Sequence, residues 1–153
     1  KISTDCVGTG LDLSSTEGIC RRSIFTGNIM ELVQFHDEAG NTGSETAEVN
    51  RIDRAAPTLE ISYTPDLTTL TNSGVTLTLS GTDQASAHGI AAGLAAQAYS
   101  FDGGTTRQTD NTNIYTANTG GIVAIRDAIG NVRTSIFSIT NINTQPQTPP
   151  IYG

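Results

Sequence analysis

The segments FHDEAGNTGSETAEVNRID (residues 35–53) and IRDAIGNVRTSIFSITNIN (residues 125–143) align without a gap, and this repeat decides the fold of the 153-residue chain. The offset is 90 residues, so the Asp, Gly and Asn of one segment fall on the Asp, Gly and Asn of the other. The same offset places Asn28 on Asn118 and Ile52 on Ile142. Because polar turn residues and apolar strand residues keep one register, the sequence contains a duplicated supersecondary unit.

Each copy of this unit is predicted to form a β-hairpin. Apolar and polar residues alternate before and after the turn, which is typical of a strand with one buried and one solvated face. An Asp at the start of the turn accepts backbone N–H groups two residues on, and a Gly-Asn pair tolerates the positive φ that closes a hairpin with a bulge. The predicted turn residues are Asp37, Gly40 and Asn41 in the first copy and Asp127, Gly130 and Asn131 in the second.

The alternation also divides the strand residues between two faces. In the strand after the second turn, Phe137 and Ile139 share one face and Ile136 lies on the other, so we expect one face to be buried and one to be wet. In the strand before the first turn, the predicted buried residues are Ile29, Val33 and Phe35.

Pro57 marks the predicted boundary between the two copies, because a proline cannot donate to a strand ladder and a strand must start afresh after it. The following segment GVTLTLSGTD (residues 74–83) alternates Thr with inward Val75, Leu77 and Leu79, which is the strongest strand signal in the chain. We therefore predict an all-β protein with a partial repeat at residues 1–55, a complete repeat at 56–143 and an extended Pro-rich tail at 144–153.

Composition excludes two classes of partner. The formal net charge is −7 with one lysine, so no basic stripe is present to neutralise a nucleic-acid backbone. No apolar run approaches the roughly 20 residues that cross a bilayer, so we expect no membrane insertion. The chain begins at Lys1 without a signal-like segment, and we expect a mature or excised piece of a protein.

The two cysteines, Cys6 and Cys20, are predicted to form a disulfide, because neither a second cysteine pair nor a histidine cluster is available to complete a zinc site with them. The alternative is a pair of reduced, packed thiols in a cytoplasmic protein. A composition rich in Thr and Asn and poor in Lys and Glu favours an oxidising, extracellular location.

An ordered set of motifs resembles the immunoglobulin-like repeats that occur in tandem in large bacterial surface proteins and adhesins. The motifs are DEAGNTGSETAEVNRIDRAAPT (37–58), SGVTLTLSGTD (73–83), YSFDGGTT (99–106) and DAIGNV (127–132). The resemblance implies an immunoglobulin-like β-sandwich, a hairpin turn at Asp102 and Gly103, an extracellular location, and a spacer, adhesive or fibre-forming role without catalysis. Arg107 stands where such repeats usually carry Trp, so an aromatic platform for sugar stacking is absent there.

The first repeat is incomplete at this offset, because Lys1 aligns with Ala91 and the equivalent of residues 56–90 is missing. Half a sandwich leaves strand edges and apolar residues exposed. Three explanations are open. In the first, the chain is a segment of a longer tandem array. In the second, the missing strands come from another copy by strand exchange. In the third, the N-terminal segment folds as a small cap closed by its disulfide.

Two classes of function follow from the sequence. The first is a structural spacer or filament subunit that associates with itself or with neighbouring repeats. The second is an adhesin or accessory module that binds a host or cell-surface glycan or protein through the loop at residues 84–94 and the turn near Asp102. Catalysis by His36 or His88 is not expected, because neither histidine belongs to a recognisable triad.

No cofactor is expected, with calcium as the one alternative. Asp53, together with Asp37, Glu38 and Asp83, could supply oxygen ligands near a junction between repeats. No dense D-x-D-x-D spacing is present, which favours ordinary turn and linker acids.

Overall fold

The structure is a computed structural model that describes residues 11–14, 19–22, 25–36, 39–146 and 149–151. All regular elements in these ranges are β-strands. The chain divides into two compact units. Unit 1 comprises Lys1–Arg54 and Ala85–Ala91, and unit 2 comprises Ala55–Gln84 and Ala92–Gly153. The sequence had assigned residues 85–91 to the complete repeat, whereas in the structure this segment groups with unit 1.

Unit 1 contains two antiparallel two-stranded sheets. Strand β1 (Leu11–Ser14) pairs with β2 (Ile19–Arg22), and β3 (Ile29–His36) pairs with β4 (Thr42–Val49). The β3–β4 hairpin is the first copy of the duplicated unit.

Unit 2 is an antiparallel β-sandwich of two three-stranded sheets. One sheet has the order β5 (Glu60–Thr64), β6 (Val75–Ser80), β8 (Thr112–Tyr115). The other has the order β10 (Val132–Ile139), β9 (Thr119–Asp127), β7 (Leu94–Ser100). The prediction of an all-β sandwich is therefore confirmed at the level of architecture.

The core of unit 2 lies between these sheets. Val75, Leu77 and Leu79 of β6 are completely buried, as their alternation with Thr predicted. The facing sheet contributes Phe137 and Ile139, which are also buried. Each large apolar side chain removed from water in this way stabilises the fold by about 1.5–3 kcal/mol, so this layer is the main source of stability in unit 2.

The sequence predicts a strand near residues 98–101, after the alanine-rich stretch, and a short strand at residues 114–117, and both differ from these bounds in the structure. Strand β7 begins at Leu94, although the alanine-rich sequence predicted a strand only near residues 98–101. Gly93 takes a φ of 81°, and Leu94 then pairs with Asp127 of β9, so sheet pairing overrides the weak strand preference of alanine. Strand β8 spans Thr112–Tyr115 rather than residues 114–117, because Asp110 accepts the Thr112 N–H and starts the strand there.

Within the part of the chain that the structure describes, no helix has the length and hydropathy to cross a membrane.

Candidate functional site

The two copies of the hairpin have identical strand register. In unit 1 the β3–β4 ladder runs from Ile29 opposite Val49 to His36 opposite Thr42. In unit 2 the β9–β10 ladder runs from Thr119 opposite Ile139 to Arg126 opposite Val132, so every pair is displaced by 90 residues. A shift of one residue would have moved each side chain to the opposite face. The duplication seen in the sequence is therefore a duplication of three-dimensional structure.

An asparagine fixes the chain after each hairpin in the same way. The Asn28 amide nitrogen donates to the Ile52 carbonyl at 2.6 Å, and its oxygen accepts the Ile52 N–H at 2.8 Å. Asn118 makes the same two bonds to Ile142, at 3.0 and 2.9 Å. A side-chain amide that bonds both backbone groups of one residue takes the place of a neighbouring strand. The alignment of these residues in the sequence therefore has a structural cause.

The two hairpins differ in burial. In unit 2, Phe137, Ile139 and Ile142 are at most 7% exposed and belong to the core. The equivalent residues of unit 1 (Ala47, Val49 and Ile52) are only half-buried. None of the unit 1 side chains that the structure describes is a fully buried hydrophobic residue. The described residues of unit 1 include no equivalent of β5 and β6, which are the strands that cover the hairpin in unit 2.

Of the predicted buried residues in β3, Ile29 is half-buried, and the side chains of Val33 and Phe35 lie outside the described residues. The opposite face of the strand is apolar in part, since Met30 is 64% and Leu32 is 59% exposed. The outer face of the first hairpin therefore presents apolar side chains to solvent.

The predicted turn geometry is present in the second copy. One Asp127 carboxylate oxygen accepts the N–H groups of Ile129, Gly130 and Asn131 at 2.6–3.0 Å, and Gly130 takes a φ of 104°. In the first copy Gly40 likewise has a positive φ of 83°, whereas Asp37 lies outside the described residues. In the second copy, the Asp127 carboxylate is therefore engaged in closing the hairpin turn.

The turn at Asp102 and Gly103 is also held by its own side chains. Asp102 accepts the hydroxyl and N–H of Thr106 and the hydroxyl of Ser100, and these bonds hold the pKa of its carboxyl well below the usual range. Ser100 in turn accepts the Gly104 N–H at 2.7 Å. Because these hydrogen bonds of the Asp102 carboxylate all lie within its own loop, a structural role explains this residue.

Arg107 lies half-buried where the resembling repeats carry Trp. One of its guanidinium nitrogens reaches the Ala98 carbonyl at 3.4 Å, and burial together with the nearby charge of Arg126 lowers its pKa. The Arg107 guanidinium therefore bonds to the backbone of β7, and this position supplies no aromatic face.

The loop predicted to be a binding loop is largely engaged within unit 1. The Ile90 N–H donates to the Asn50 carbonyl, the Arg54 N–H donates to the Ser86 hydroxyl, and that hydroxyl donates to the Asp53 carboxylate. A Cβ atom at Gly89 would meet the amide of Asn28. The segment Ala85–Ala91 thus serves the first repeat, although the sequence places it in the second.

The proposed calcium ligands are distributed over both units. Asp37 and Glu38 lie outside the described residues, and Asp53 belongs to unit 1. In unit 2, carboxylate oxygens of Asp83 and Asp127 lie within 4.8 Å of each other. One Asp83 oxygen accepts the Gly93 N–H at 2.6 Å, while the other is buried without a hydrogen-bond partner among the described residues. The sequence predicted Asp127 only as a turn residue, and its proximity to Asp83 was not predicted.

The remaining candidate residues are the two histidines and the two cysteines. His88 is exposed, and the side chain of His36 lies outside the described residues. Cys20 lies in β2 opposite Leu13, but Cys6 is outside the described residues, so the disulfide stays a prediction.

Calcium is expected to raise the melting temperature of the protein if the Asp83–Asp127 pair holds the ion, because a ligand that binds only the folded state stabilises it. At 100 times the dissociation constant the gain is about 2.7 kcal/mol. Calorimetry with calcium or with a chelator should show a shift of several degrees that Asp83→Asn removes and Asp110→Asn, a change in an exposed turn, leaves intact. Equal melting curves with and without calcium would contradict this site.

No protein-family model matches this sequence, and neither the curated proteins nor the solved structures contain a significant match to it. Its function is therefore argued from its own residues.

Proposed function

We propose that this protein is a non-catalytic structural component of a bacterial surface or extracellular fibre, built from immunoglobulin-like repeats. It acts as a spacer or filament subunit in which the half repeat of unit 1 is completed by strands from another repeat. The observation that carries the proposal is the pair of hairpins with the same register and the same asparagine hydrogen bonds, of which, among the described residues, only the second packs against a three-stranded sheet.

The strands that unit 1 lacks are defined by unit 2. There, β5 and β6 supply Ile61, Leu77 and Leu79 to the layer that covers β9 and β10. Strand addition gives affinity through backbone hydrogen bonds and specificity through alternate side chains. A β5–β6 hairpin from another repeat therefore fits the missing half, whether that repeat precedes unit 1 in a longer array or belongs to a second copy.

The alternative role, in which the protein is an adhesin module that binds a glycan or protein, depends on the loop at residues 84–94. Because Ser86 and Ile90 of this loop are already hydrogen-bonded within unit 1, the structural role is better supported.

Negative-stain electron microscopy of the purified chain tests the proposal, with mass spectrometry on the same sample to fix its ends. Regular filaments of the 153-residue chain would support completion between copies. Short rods from a much longer chain would support completion by a neighbouring repeat. Compact, monodisperse monomers of the 153-residue chain in which unit 1 is as stable as unit 2 would contradict both forms.

A further inference from the structure

Three of the four edge strands of unit 2 are protected against pairing with another chain. Natural sheets discourage such pairing by prolines, charges, bulges or very short edges. Strand β5 lies between Pro57 and Pro65 and begins with Glu60. Strand β7 has an irregular register between Leu94 and Tyr99, and β8 has only four residues. None of these strands offers a long, regular edge.

Strand β10 is the exception. It pairs with β9 over eight consecutive residues without a bulge, and Arg133 is its one charged residue. The Asp127 N–H bonds to the Asn131 carbonyl, and hydrogen-bonded pairs alternate along an antiparallel ladder, so residues 133, 135, 137 and 139 bond to β9. The backbone groups of the other four residues point outward, and no described residue of unit 2 bonds to them. These four residues are Val132, Thr134, Ile136 and Ser138.

The side chains along this edge are apolar and exposed. Ile136 is 80% exposed and Val132 is 43% exposed. Ile122, directly opposite Ile136 on β9, is 49% exposed. Three large aliphatic side chains on the outer face of one hairpin, beside an open row of backbone groups, form the arrangement that natural proteins avoid unless the edge is used.

The same edge is polar in the first copy. At the offset of 90 residues, Thr42 replaces Val132 and Thr46 replaces Ile136 on β4. Strand β4 also carries Glu45 and Glu48, which add negative charge to the edge. Because the fold of the hairpin is the same in both copies, the apolar edge of β10 is not required by the fold.

We propose that the β10 strands of two copies of this chain pair antiparallel, with Thr134 opposite Thr134 of the second copy. This register places Ile136 opposite Val132 of the second copy, twice by symmetry, and extends the apolar row that begins at Ile122. It sets Arg133 opposite Ser135 of the second copy, so the two arginines do not face each other. The two three-stranded sheets then form one continuous six-stranded sheet.

A second copy is the occupant because this edge is complementary to itself. A two-fold interface brings the same patch to both sides, and here it satisfies the outward backbone groups, pairs the aliphatic side chains and avoids like charges. The contact uses unit 2 alone. It is therefore independent of how the half repeat in unit 1 is completed.

Sedimentation velocity of the full chain over a concentration series tests the pairing. We expect a reversible monomer–dimer equilibrium for the native chain and at least a tenfold loss of dimer affinity for Ile136→Lys, whose side chain is exposed and so not needed for folding. Thr46→Lys, at the equivalent position of β4, is the matched control and should dimerise normally. A native chain that stays monomeric at high concentration would overturn the proposal, as would a dimer unaffected by Ile136→Lys.

The register is tested by cross-linking. In the proposed pair, the Cα atoms of residue 134 lie about 5.5 Å apart, within the range that a disulfide spans. Thr134→Cys should give covalent dimers under mild oxidation, while the native chain and Ser44→Cys, the equivalent change in β4, should not. Cross-linking by Ser44→Cys but not by Thr134→Cys would overturn this interface.

Discussion

Replacement of Ile142 by Ala is expected to lower the free energy of unfolding by about 2–5 kcal/mol, whereas Ile52→Ala should cost about 1 kcal/mol. The two isoleucines occupy the same position of the duplicated unit and make the same backbone bonds to an asparagine. Ile142 is 7% exposed in the core of unit 2, whereas Ile52 is half-buried in a unit whose described residues include no equivalent of β5 and β6. The difference in cost therefore measures what the missing strands contribute.

Chemical denaturation followed by tyrosine fluorescence is suited to this comparison. The chain has no Trp, and its four tyrosines all belong to unit 2, so the signal reports that unit. Ile142→Ala should move the transition to much lower denaturant, and Ile52→Ala should leave it nearly unchanged. A separate measurement by circular dichroism includes unit 1. Equal costs for the two variants by that method would mean that unit 1 already has a complete core.

The sequence predicted those parts of the fold that depend on local pattern. The alternation of Thr with Val75, Leu77 and Leu79 identified a strand with one buried face, because period-two patterns reflect which side of a sheet meets the core. The gapless alignment at 90 residues predicted two hairpins of one register, because turn chemistry and strand register are both local.

The sequence could not predict features that depend on distant residues. The proximity of Asp83 to Asp127 arises from chain segments far apart in sequence, and each aspartate alone looks like a turn residue. The assignment of Ala85–Ala91 to unit 1 is set by its bonds to Asn50 and Arg54. The sequence placed Ile136 on the opposite face from Phe137 and Ile139, but its position on an open edge became apparent only from the order of the strands.

The incomplete repeat of unit 1 and the open β10 edge of unit 2 require different binding partners. The described part of unit 1 has no equivalent of β5 and β6, and a hairpin that takes their place needs the same alternation of side chains. Unit 2 has a complete core and offers only the outer edge of β10, which a single strand can extend. Completion of the half repeat would act along an array of repeats, and pairing of β10 would act between arrays. A fibre built from this chain would need both kinds of contact to gain length and lateral cohesion.

Fusion of a copy of residues 56–90 in front of Lys1 should complete unit 1 and suppress assembly through it. At the 90-residue offset this segment has no counterpart within residues 1–153, and it contains both β5 and β6. We expect a gain of several kcal/mol in the stability of unit 1, because the half-buried Val49 and Ile52 would become core residues. The cost of Ile52→Ala should then rise to about 2–5 kcal/mol, the value expected for Ile142→Ala.

The control for this fusion carries Asp in place of both leucines that correspond to Leu77 and Leu79 in the added segment. Its length and position are the same, but a strand with two carboxylates on its inner face cannot cover the hairpin without burying unpaired charge. Any filaments formed by the parent chain should disappear in the intact fusion and persist in this control, as judged by electron microscopy. If the intact fusion and the control have the same stability and the same assembly, unit 1 does not accept a β5–β6 hairpin and completion by strand exchange is wrong.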